Sequence, residues 1–324
     1  MGKLKLENVA KHAGVSPTTV SRVLNNRGYI SDKTRIKVND AIEELGYFPN
    51  EVARSLYGRK TNLIGVLFPD VSNPFYGEMV TEIEKRLSRK GYKTLLCNTS
   101  DNLEKETMHL KMLLSNQVDG IIIGSRNRPS DIYEKANLAI VAIDRFVSEK
   151  VPIVRSDNYN GACLAVDYLL KKKCKKIAIC IGSLEEEIKK GDLRLLGFLD
   201  TLKKNHREGL VFHVAFDESE AYQRKKIAET LSLYPDIDGI FATGDFLAGM
   251  IRSIAKQKNM EMEIVGYDGS MAFLNLSNEI STIQQPIAKM ARCSVDLLLE
   301  IINGNYIHEG KEYILPVSLV ERSK

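Results

Sequence analysis

Carboxylates, arginines and aromatic rings recur at the ends of the apolar runs of residues 61–324 or in the segments that follow them, and their chemistry suits a polyhydroxy ligand. The set comprises Asp70, Phe75, Asp144, Arg145, Arg194, Phe216, Asp245, Tyr267 and Asp268. Charged groups of this kind form paired hydrogen bonds to vicinal hydroxyl groups, and an aromatic ring stacks against the apolar face of a sugar. The residues predict a sugar-type binding site, with a helix cap or a salt bridge as the alternative role of each charged member.

The sequence carries none of the common catalytic signatures. It lacks a phosphate-cradling Gly-x-x-x-x-Gly-Lys-Ser/Thr loop, a Gly-x-Ser-x-Gly elbow and a His-Glu-x-x-His pair. The histidines have no metal-like spacing, and the scattered cysteines are typical of free thiols. These residues are His12, His109, His206, His213 and His308, and Cys97, Cys163, Cys174, Cys180 and Cys293. We therefore predict a binding protein with no catalytic residue, no metal and no cofactor.

A second group of polar residues lies in the first 60 positions, where 11 basic side chains stand against 6 acidic ones. Positive charge concentrated in one segment is typical of a module that binds nucleic acid. Pro17, Thr18 and Arg22 are candidates for contacts to base edges, because arginine pairs bidentately with guanine and threonine offers a hydroxyl and a methyl group. A second set is expected to contact phosphates, and the alternative role of each member is a helix cap or a solvated surface position. This set is Ser16, Thr19, Ser21, Asn25 and Thr34.

Three predicted helices must position these polar groups. The apolar spacing predicts Leu6–Ala13, ended by Gly14, and then Pro17–Asn25, capped by Ser16. A third helix begins after Ser31 and runs to Leu45. The expected core residues are Val20, Val23, Leu24, Ile36, Ile42 and Leu45. A helix, a tight glycine turn and a helix with a polar outer face are typical of a helix-turn-helix, whose second helix fits the major groove.

Residues 47–58 are unusual for a linker. Asn50 caps a predicted short helix over residues 50–58, with Val52, Ala53 and Leu56 on one stripe. A helix of this length is not stable alone in water, so we expect it to order against its own copy in a dimer and against DNA. A leucine presented in this way wedges between base steps in the minor groove and kinks the duplex.

From Thr61 onward, apolar runs alternate with helical patterns. The predicted strands are Ile64–Phe68, Thr94–Cys97, Gly120–Ile123, Ala139–Ile143, Ile177–Ile181, Val211–Phe216, Gly239–Ala242 and Glu263–Gly266. The predicted helices include Phe75–Lys90, Leu103–Asn116, Gly161–Lys172 and Leu193–Asn205. This alternation favours parallel sheets with helices on both faces, divided by the chain's length into two doubly wound α/β lobes. Ligands of such folds lie beyond the carboxyl ends of the strands, here in the cleft between lobes.

Several motifs resemble the LacI/GalR family of bacterial transcription regulators. They are Asn8-Val9-Ala10, Ala13-Gly14-Val15-Ser16, Thr19-Val20-Ser21-Arg22-Val23-Leu24-Asn25, Gly46-Tyr47, Pro49-Asn50 and Ala53-Arg54-Ser55-Leu56. The resemblance continues along the chain and implies a homodimer that reads a double-stranded, pseudo-palindromic operator, with Leu56 as the minor-groove wedge and Asn50 and Ala53 among the DNA contacts. It implies a repressor of a carbohydrate-utilisation operon.

The resemblance also implies the domain organisation. A helix-turn-helix domain with its hinge helix is expected over residues 1–58, and a core like that of the periplasmic sugar-binding proteins over 61–324. Its chain is expected to cross between lobes near 157–161, 283–287 and 316–320. The N-lobe would then hold residues 61–158 and 286–317, and the C-lobe residues 159–284 and 318–324.

Carried over position by position, the resemblance implies a set of effector contacts. They are Phe75, Asp144, Arg194, Phe216, Gly244, Asp268 and Gln285. The family usually has Asn-Asp where this chain has Gly244-Asp245, so an amide that grips a sugar hydroxyl is missing. Its loss either makes room for a larger ligand or shifts the contact to Thr243. The pair Asp144-Arg145 and the run at 156–158 are similar to the sucrose-responsive branch of the family.

Three other functions are alternatives to a sugar-responsive repressor. An enzyme fused to a DNA-binding domain lacks support from any catalytic motif, and an exported sugar receptor is disfavoured by the basic first segment and the lack of a signal-like start. A regulator that binds DNA more tightly with a nucleobase or sugar phosphate stays open. No apolar run is long enough for a membrane span, and no heptad tail follows residue 320, so we expect a cytoplasmic dimer.

Overall fold

The computed structural model describes residues 4–24, 27–47, 60–124, 133, 138–182, 192–216, 218–305 and 310–322. The chain divides into two compact units, residues 1–61 and 62–324, called here the head unit and the core unit. Within the described ranges, no helix is long and apolar enough to cross a membrane. The division near residue 61 places the basic first 60 residues in the head unit.

The described helices of the head unit are α1 (Leu6–Ala13), α2 (Pro17–Leu24) and α3 (Asp32–Leu45). Gly14 ends α1 at a φ of 67°, a left-handed conformation that glycine adopts without strain. Ser31 begins α3, because its side chain accepts the backbone N–H of Thr34. The helix-turn-helix predicted from these capping residues is confirmed.

A small apolar core holds the three helices together. Its buried members are Val9, Ala10, Val20, Val23, Val38, Ala41 and Tyr47. The prediction that Ile36 belongs to this core is wrong, since its side chain is 59% exposed. The inner stripe of α3 runs through Val38, Ala41, Ile42 and Leu45, the spacing of one helical face, and Ile36 lies two positions before Val38 on the opposite side.

Strands and helices alternate along the core unit. The strands are β1 (Leu63–Phe68), β2 (Lys93–Asn98), β3 (Gly120–Ile123), β4 (Ala139–Ile143), β5 (Ile153–Ser156), β6 (Ile177–Ile181), β7 (Leu210–His213), β8 (Gly239–Ala242), β9 (Glu263–Asp268), β10 (Ser281–Gln284), β11 (Glu312–Leu315) and β12 (Ser318–Val320). The described helices are α4 (Pro74–Arg89), α5 (Leu103–Ser115), α6 (Asn158–Lys171), α7 (Leu193–Lys204), α8 (Glu220–Leu233), α9 (Asp245–Gln257), α10 (Met271–Leu276) and α11 (Ile287–Ile302).

The first sheet has the order β11-β5-β4-β3-β1-β2, and each pair of neighbours is parallel. Alternate side chains of β1 face opposite layers: Ile64 and Val66 pack with α4 and α11, whereas Leu67 packs with α5. Both faces of the sheet are therefore covered by helices. This first lobe is doubly wound, as predicted.

The second sheet has the order β12-β10-β9-β8-β6-β7. Ala178 and Cys180 of β6 pack with α8 and α9, and Ile179 packs with α6 and α7 on the other face. The edge strand β12 runs antiparallel to β10. The chain leaves β11 at the carboxyl edge of the first sheet. After two intervening residues it enters the second sheet, also at the carboxyl edge, so β12 runs antiparallel to its neighbour.

The strand predicted over Val211–Phe216 is wrong in its extent. In the structure β7 stops at His213, and Phe216 lies in the following loop. The ring of Phe216 nevertheless lies at the carboxyl end of β6, because a Cβ on Gly182 would come within 2.1 Å of its Cζ. A glycine directly after β6 is thus needed to seat this ring.

Candidate functional site

The polar residues predicted to contact DNA lie on the outer face of α2. Pro17, Thr18 and Arg22 are exposed, whereas Val20 and Val23 are buried against α1 and α3. Positions 18 and 22 are one helical turn apart, so both side chains point the same way. This surface has the shape and the donor groups that a major groove accepts.

Ser16 and Thr34 have structural partners. The Oγ of Ser16 accepts the N–H of Thr19 at 3.1 Å and lies 2.9 Å from the hydroxyl of Thr19. The hydroxyl of Thr34 lies 2.9 Å from Ser31 Oγ. Ser16 therefore has the capping role that was its alternative, and the hydroxyl of Thr34 contacts the cap residue of α3. The phosphate contacts of both residues stay a prediction. Four predicted DNA contacts lie outside the described residues: Asn25, Asn50, Ala53 and Leu56.

In the core unit, the predicted effector contacts lie where strands of both sheets end. Asp144 directly follows β4, and Gly244 lies two residues after β8. Asp268 is the last residue of β9, Gln285 directly follows β10, and Arg194 is the second residue of α7. Carboxyl ends of parallel strands share one edge of a sheet, which is where ligands of doubly wound folds bind.

Asn158 joins the two lobes through a pair of hydrogen bonds. Its Nδ2 donates to Asp144 Oδ1 at 2.9 Å, and its Oδ1 accepts the hydroxyl proton of Tyr267 at 2.7 Å. Asp144 follows a strand of the first sheet, whereas Tyr267 belongs to the second. The sequence singled out Asn158 only as part of a short run, because its two partners are distant along the chain.

Arg194 lies between the carboxylates and the ring of Tyr267. Its guanidinium carbon is 5.3 Å from the ring centroid, and Nη1 donates to the carbonyl of Thr243 at 3.2 Å. Its Nε is 3.7 Å from Asp192 Oδ1. Burial raises the pKa of the Asp144 carboxyl, and the charge of Arg194 acts in the opposite direction. The site thus holds a fixed guanidinium among carboxylates, sheltered from water.

Asp268 is held by a relay of side chains. Gln285 Nε2 donates to Asp268 Oδ1 at 2.8 Å, and Ser156 Oγ donates to Gln285 Oε1 at 2.6 Å. Asp268 has a φ of 110° and Asp144 a φ of 57°. Non-glycine residues in this region are strained, and such strain clusters where side chains must be aimed at a ligand.

The two aromatic candidates differ in accessibility. Phe75 is buried in the apolar cluster of the first lobe, and its ring meets Tyr76 edge-on with centroids 5.2 Å apart. Phe216 is half-buried. A stacking role against a sugar therefore suits Phe216 better and stays a prediction for both.

Asp245 has a structural role. Its Oδ1 accepts the hydroxyl of Thr282 at 2.6 Å, and its Oδ2 accepts the N–H of Gly269 at 2.8 Å. It thereby fixes the loop that follows Asp268. Burial and the neighbouring charge of Asp268 raise its pKa from 3.8 to about 8.

This raised pKa predicts a pH-dependent stability. A carboxyl whose pKa is higher in the folded state stabilises the protein at low pH and loses that contribution as pH rises, here between about 4 and 8. Asp245→Asn removes the titration, so we expect the melting temperature of the variant to rise relative to wild type as pH increases from 5 to 8. A constant difference between the two proteins in thermal unfolding at these pH values would contradict the assignment.

Two family models match the chain. The model described as "Bacterial regulatory proteins, lacI family" matches residues 5–50, and the model described as "Periplasmic binding proteins and sugar binding domain of LacI family" matches residues 61–321. A sucrose operon repressor of Streptococcus mutans is 42% identical over 320 residues, and one of Pediococcus pentosaceus is 40% identical over 323 residues. Each alignment covers 98% of this chain and 98% of the relative.

Solved structures show the same architecture. The lac repressor dimer bound to operator and the anti-inducer ONPF has a TM-score of 0.83 at 27% identity, covering 99% of this chain and 98% of that one. A regulator of Alkaliphilus metalliredigens complexed with D-xylulofuranose has a TM-score of 0.74 at 33% identity, covering 81% and 98%. The regulator CelR in complex with cellobiose has a TM-score of 0.71 at 26% identity, covering 98% and 99%.

Proposed function

The chain belongs to the lacI family of bacterial regulatory proteins, and from this premise we propose that it represses a carbohydrate-utilisation operon in response to a sugar. The family consists of regulators of transcription, so the chain is a DNA-binding repressor and not an enzyme. The observation that carries the proposal lies at the carboxyl edges of both sheets, where Asn158 is hydrogen-bonded to Asp144 and Tyr267 and the guanidinium of Arg194 lies over the Tyr267 ring.

The charges of this group favour a neutral sugar as the effector. The carboxylates of Asp192, Asp144 and Asp268 all act on the one guanidinium of Arg194. A phosphate group would add negative charge beside these carboxylates, whereas sugar hydroxyls donate hydrogen bonds to them without a charge penalty. Relatives that align along nearly the whole chain are named for the sucrose operon, so sucrose or a close derivative is our first candidate.

The proposed mechanism couples the cleft to the head unit. A sugar bound to Asp144 and Asp268 contacts both lobes at once and therefore favours the arrangement in which they are closest. We expect the resulting shift to separate the paired helices predicted over residues 50–58, so that Leu56 leaves the minor groove and operator affinity falls. Coupling energies of this kind are typically about 1–3 kcal/mol.

The proposed assembly is a homodimer on a pseudo-palindromic operator, since two identical heads read two identical half-sites. The solved lac repressor structure that resembles this chain is a dimer on its operator. A repressor acts at the chromosome, so we place this protein in the cytoplasm.

A ligand screen is expected to identify a sugar that stabilises the protein and releases DNA. At 100 times its dissociation constant, a ligand adds about 2.7 kcal/mol of stability, which raises the melting temperature by several degrees. The panel contains sucrose, cellobiose, fructose, ribose, their phosphates, and purines, measured by thermal shift and by fluorescence anisotropy of a bound operator duplex. A ligand that tightens operator binding would instead establish corepression, and a response to purines or phosphates alone would refute the proposed effector class.

A further inference from the structure

Gly244 occupies a position at which none of the described residues requires glycine. Its φ of −168° and ψ of 148° are those of extended backbone, which any residue adopts. Among the described residues, a Cβ built there would meet a single neighbour within 4 Å, Asp268 Oδ2 at 3.7 Å, an ordinary contact distance. At Gly266, by contrast, a Cβ would collide with Asp245 Oδ1 at 2.4 Å.

Glycine at position 244 also lacks a side-chain hydrogen bond that would cap the next helix. Gly244 is the N-cap of α9, yet it has no side chain to accept an N–H of the first turn. Six of the helices described in the core unit have such a side chain, namely Asn73, Asn102, Asp157, Asp192, Ser219 and Ser270. An Asn at 244 would fit both the backbone and the cap, and glycine, although well tolerated at an N-cap, brings no gain in packing here.

Thr243 does not replace the missing side chain. Its hydroxyl is buried and accepts the N–H of Gly182 at 3.0 Å, and its carbonyl accepts a hydrogen bond from Arg194. The glycine was predicted either to shift a ligand contact to Thr243 or to make room for a larger ligand. The geometry therefore favours room for a larger ligand. That room lies directly in front of the carboxylate of Asp268.

We propose that Gly244 is a specificity-determining residue that keeps the approach to Asp268 open for an effector with two linked sugar rings. The proposal rests on the sugar-responsive function above. A side chain at 244 would extend toward Asp268 and would obstruct a glycosidic substituent there, whereas a single ring with a free hydroxyl needs no such space. Phe246, in the first turn of α9, is 58% exposed and supplies an aromatic surface at the same helix end.

The test compares Gly244→Asn and Gly244→Ala with Gly249→Ala. Gly249 lies in the same helix, and a Cβ there would meet no described residue outside the helix's own backbone within 4 Å, so this variant controls for an added methyl group. Isothermal titration with sucrose, cellobiose, fructose and ribose is expected to show a loss of disaccharide affinity of roughly 10- to 200-fold for Gly244→Asn. Monosaccharide affinity, ligand-free operator binding and melting temperature should not fall, and Gly249→Ala should bind like wild type.

The following results would contradict the proposal, and each identifies a different error in it. Disaccharide binding by Gly244→Asn at wild-type affinity, or equal losses for one-ring and two-ring sugars, would show that the glycine does not select for size. Wild-type protein that binds only monosaccharides would refute the inference and leave the sugar-responsive repressor intact. Wild-type protein that binds the operator but none of these sugars would refute the proposed effector class itself.

Discussion

Replacement of Arg194 by Met is expected to abolish the release of operator by sugar, while operator binding without sugar persists. Methionine keeps apolar contact with the ring of Tyr267 but removes the guanidinium that lies among Asp144, Asp192 and Asp268. Truncation of one member of a buried, hydrogen-bonded charge group costs about 2–5 kcal/mol of binding free energy. In cells the variant would repress the operon whether or not the sugar is present. With the purified protein, titration calorimetry would measure the loss of affinity for the sugar.

The same substitution has a consequence for pH dependence. Burial already raises the pKa of Asp144, and Arg194 counteracts that rise, so its removal raises the pKa further. A carboxyl with a raised pKa in the folded state loses its stabilising contribution as pH increases. The melting temperature of Arg194→Met should therefore fall more steeply than that of wild type between pH 5 and pH 8.

Arg252→Met is the matched control. Arg252 is also partly buried, and its guanidinium donates to the carbonyls of Met262 and Glu279, away from the candidate site. It should lower stability without a selective loss of sugar binding. Comparable losses of sugar affinity in both variants would show that Arg194 acts only through general stability, and release of operator at wild-type sugar concentrations would remove Arg194 from the site.

The strands that sequence predicted best are those buried on both faces. β3, β4, β6 and β8 begin and end at the predicted residues, because fully covered parallel strands are unbroken apolar runs. β5, β10, β11 and β12 were not predicted. Their sequences mix polar and apolar residues, and β11 pairs with β5, about 160 residues earlier.

The candidate site shows a similar division. Asp144 and Asp268 were predictable because strand ends mark ligand sites in doubly wound folds. The structural role of Asp245 was not, since its partners Thr282 and Gly269 come from other segments of the chain. The bridging role of Asn158 was not predictable either, because its partners Asp144 and Tyr267 belong to different lobes.

Arg22→Ala is expected to reduce affinity for the specific operator by about 1–3 kcal/mol, with a much smaller loss for a scrambled duplex of the same length. Arg22 is exposed on α2 and shares its face with Thr18, while the opposite face packs Val20 and Val23 into the core. The variant should therefore fold normally. Fluorescence anisotropy over a range of salt concentrations would measure both affinities.

Two further variants separate base reading from charge attraction. Lys37→Ala removes one exposed positive charge from α3 and should weaken binding to both duplexes equally. Arg22→Lys keeps the charge of Arg22 but loses the planar fork that pairs with guanine. If Arg22 reads a base, the lysine variant retains affinity for the scrambled duplex and loses the preference for operator. If it contacts phosphate instead, the lysine variant resembles wild type on both duplexes, because a phosphate contact depends on the charge and not on the fork.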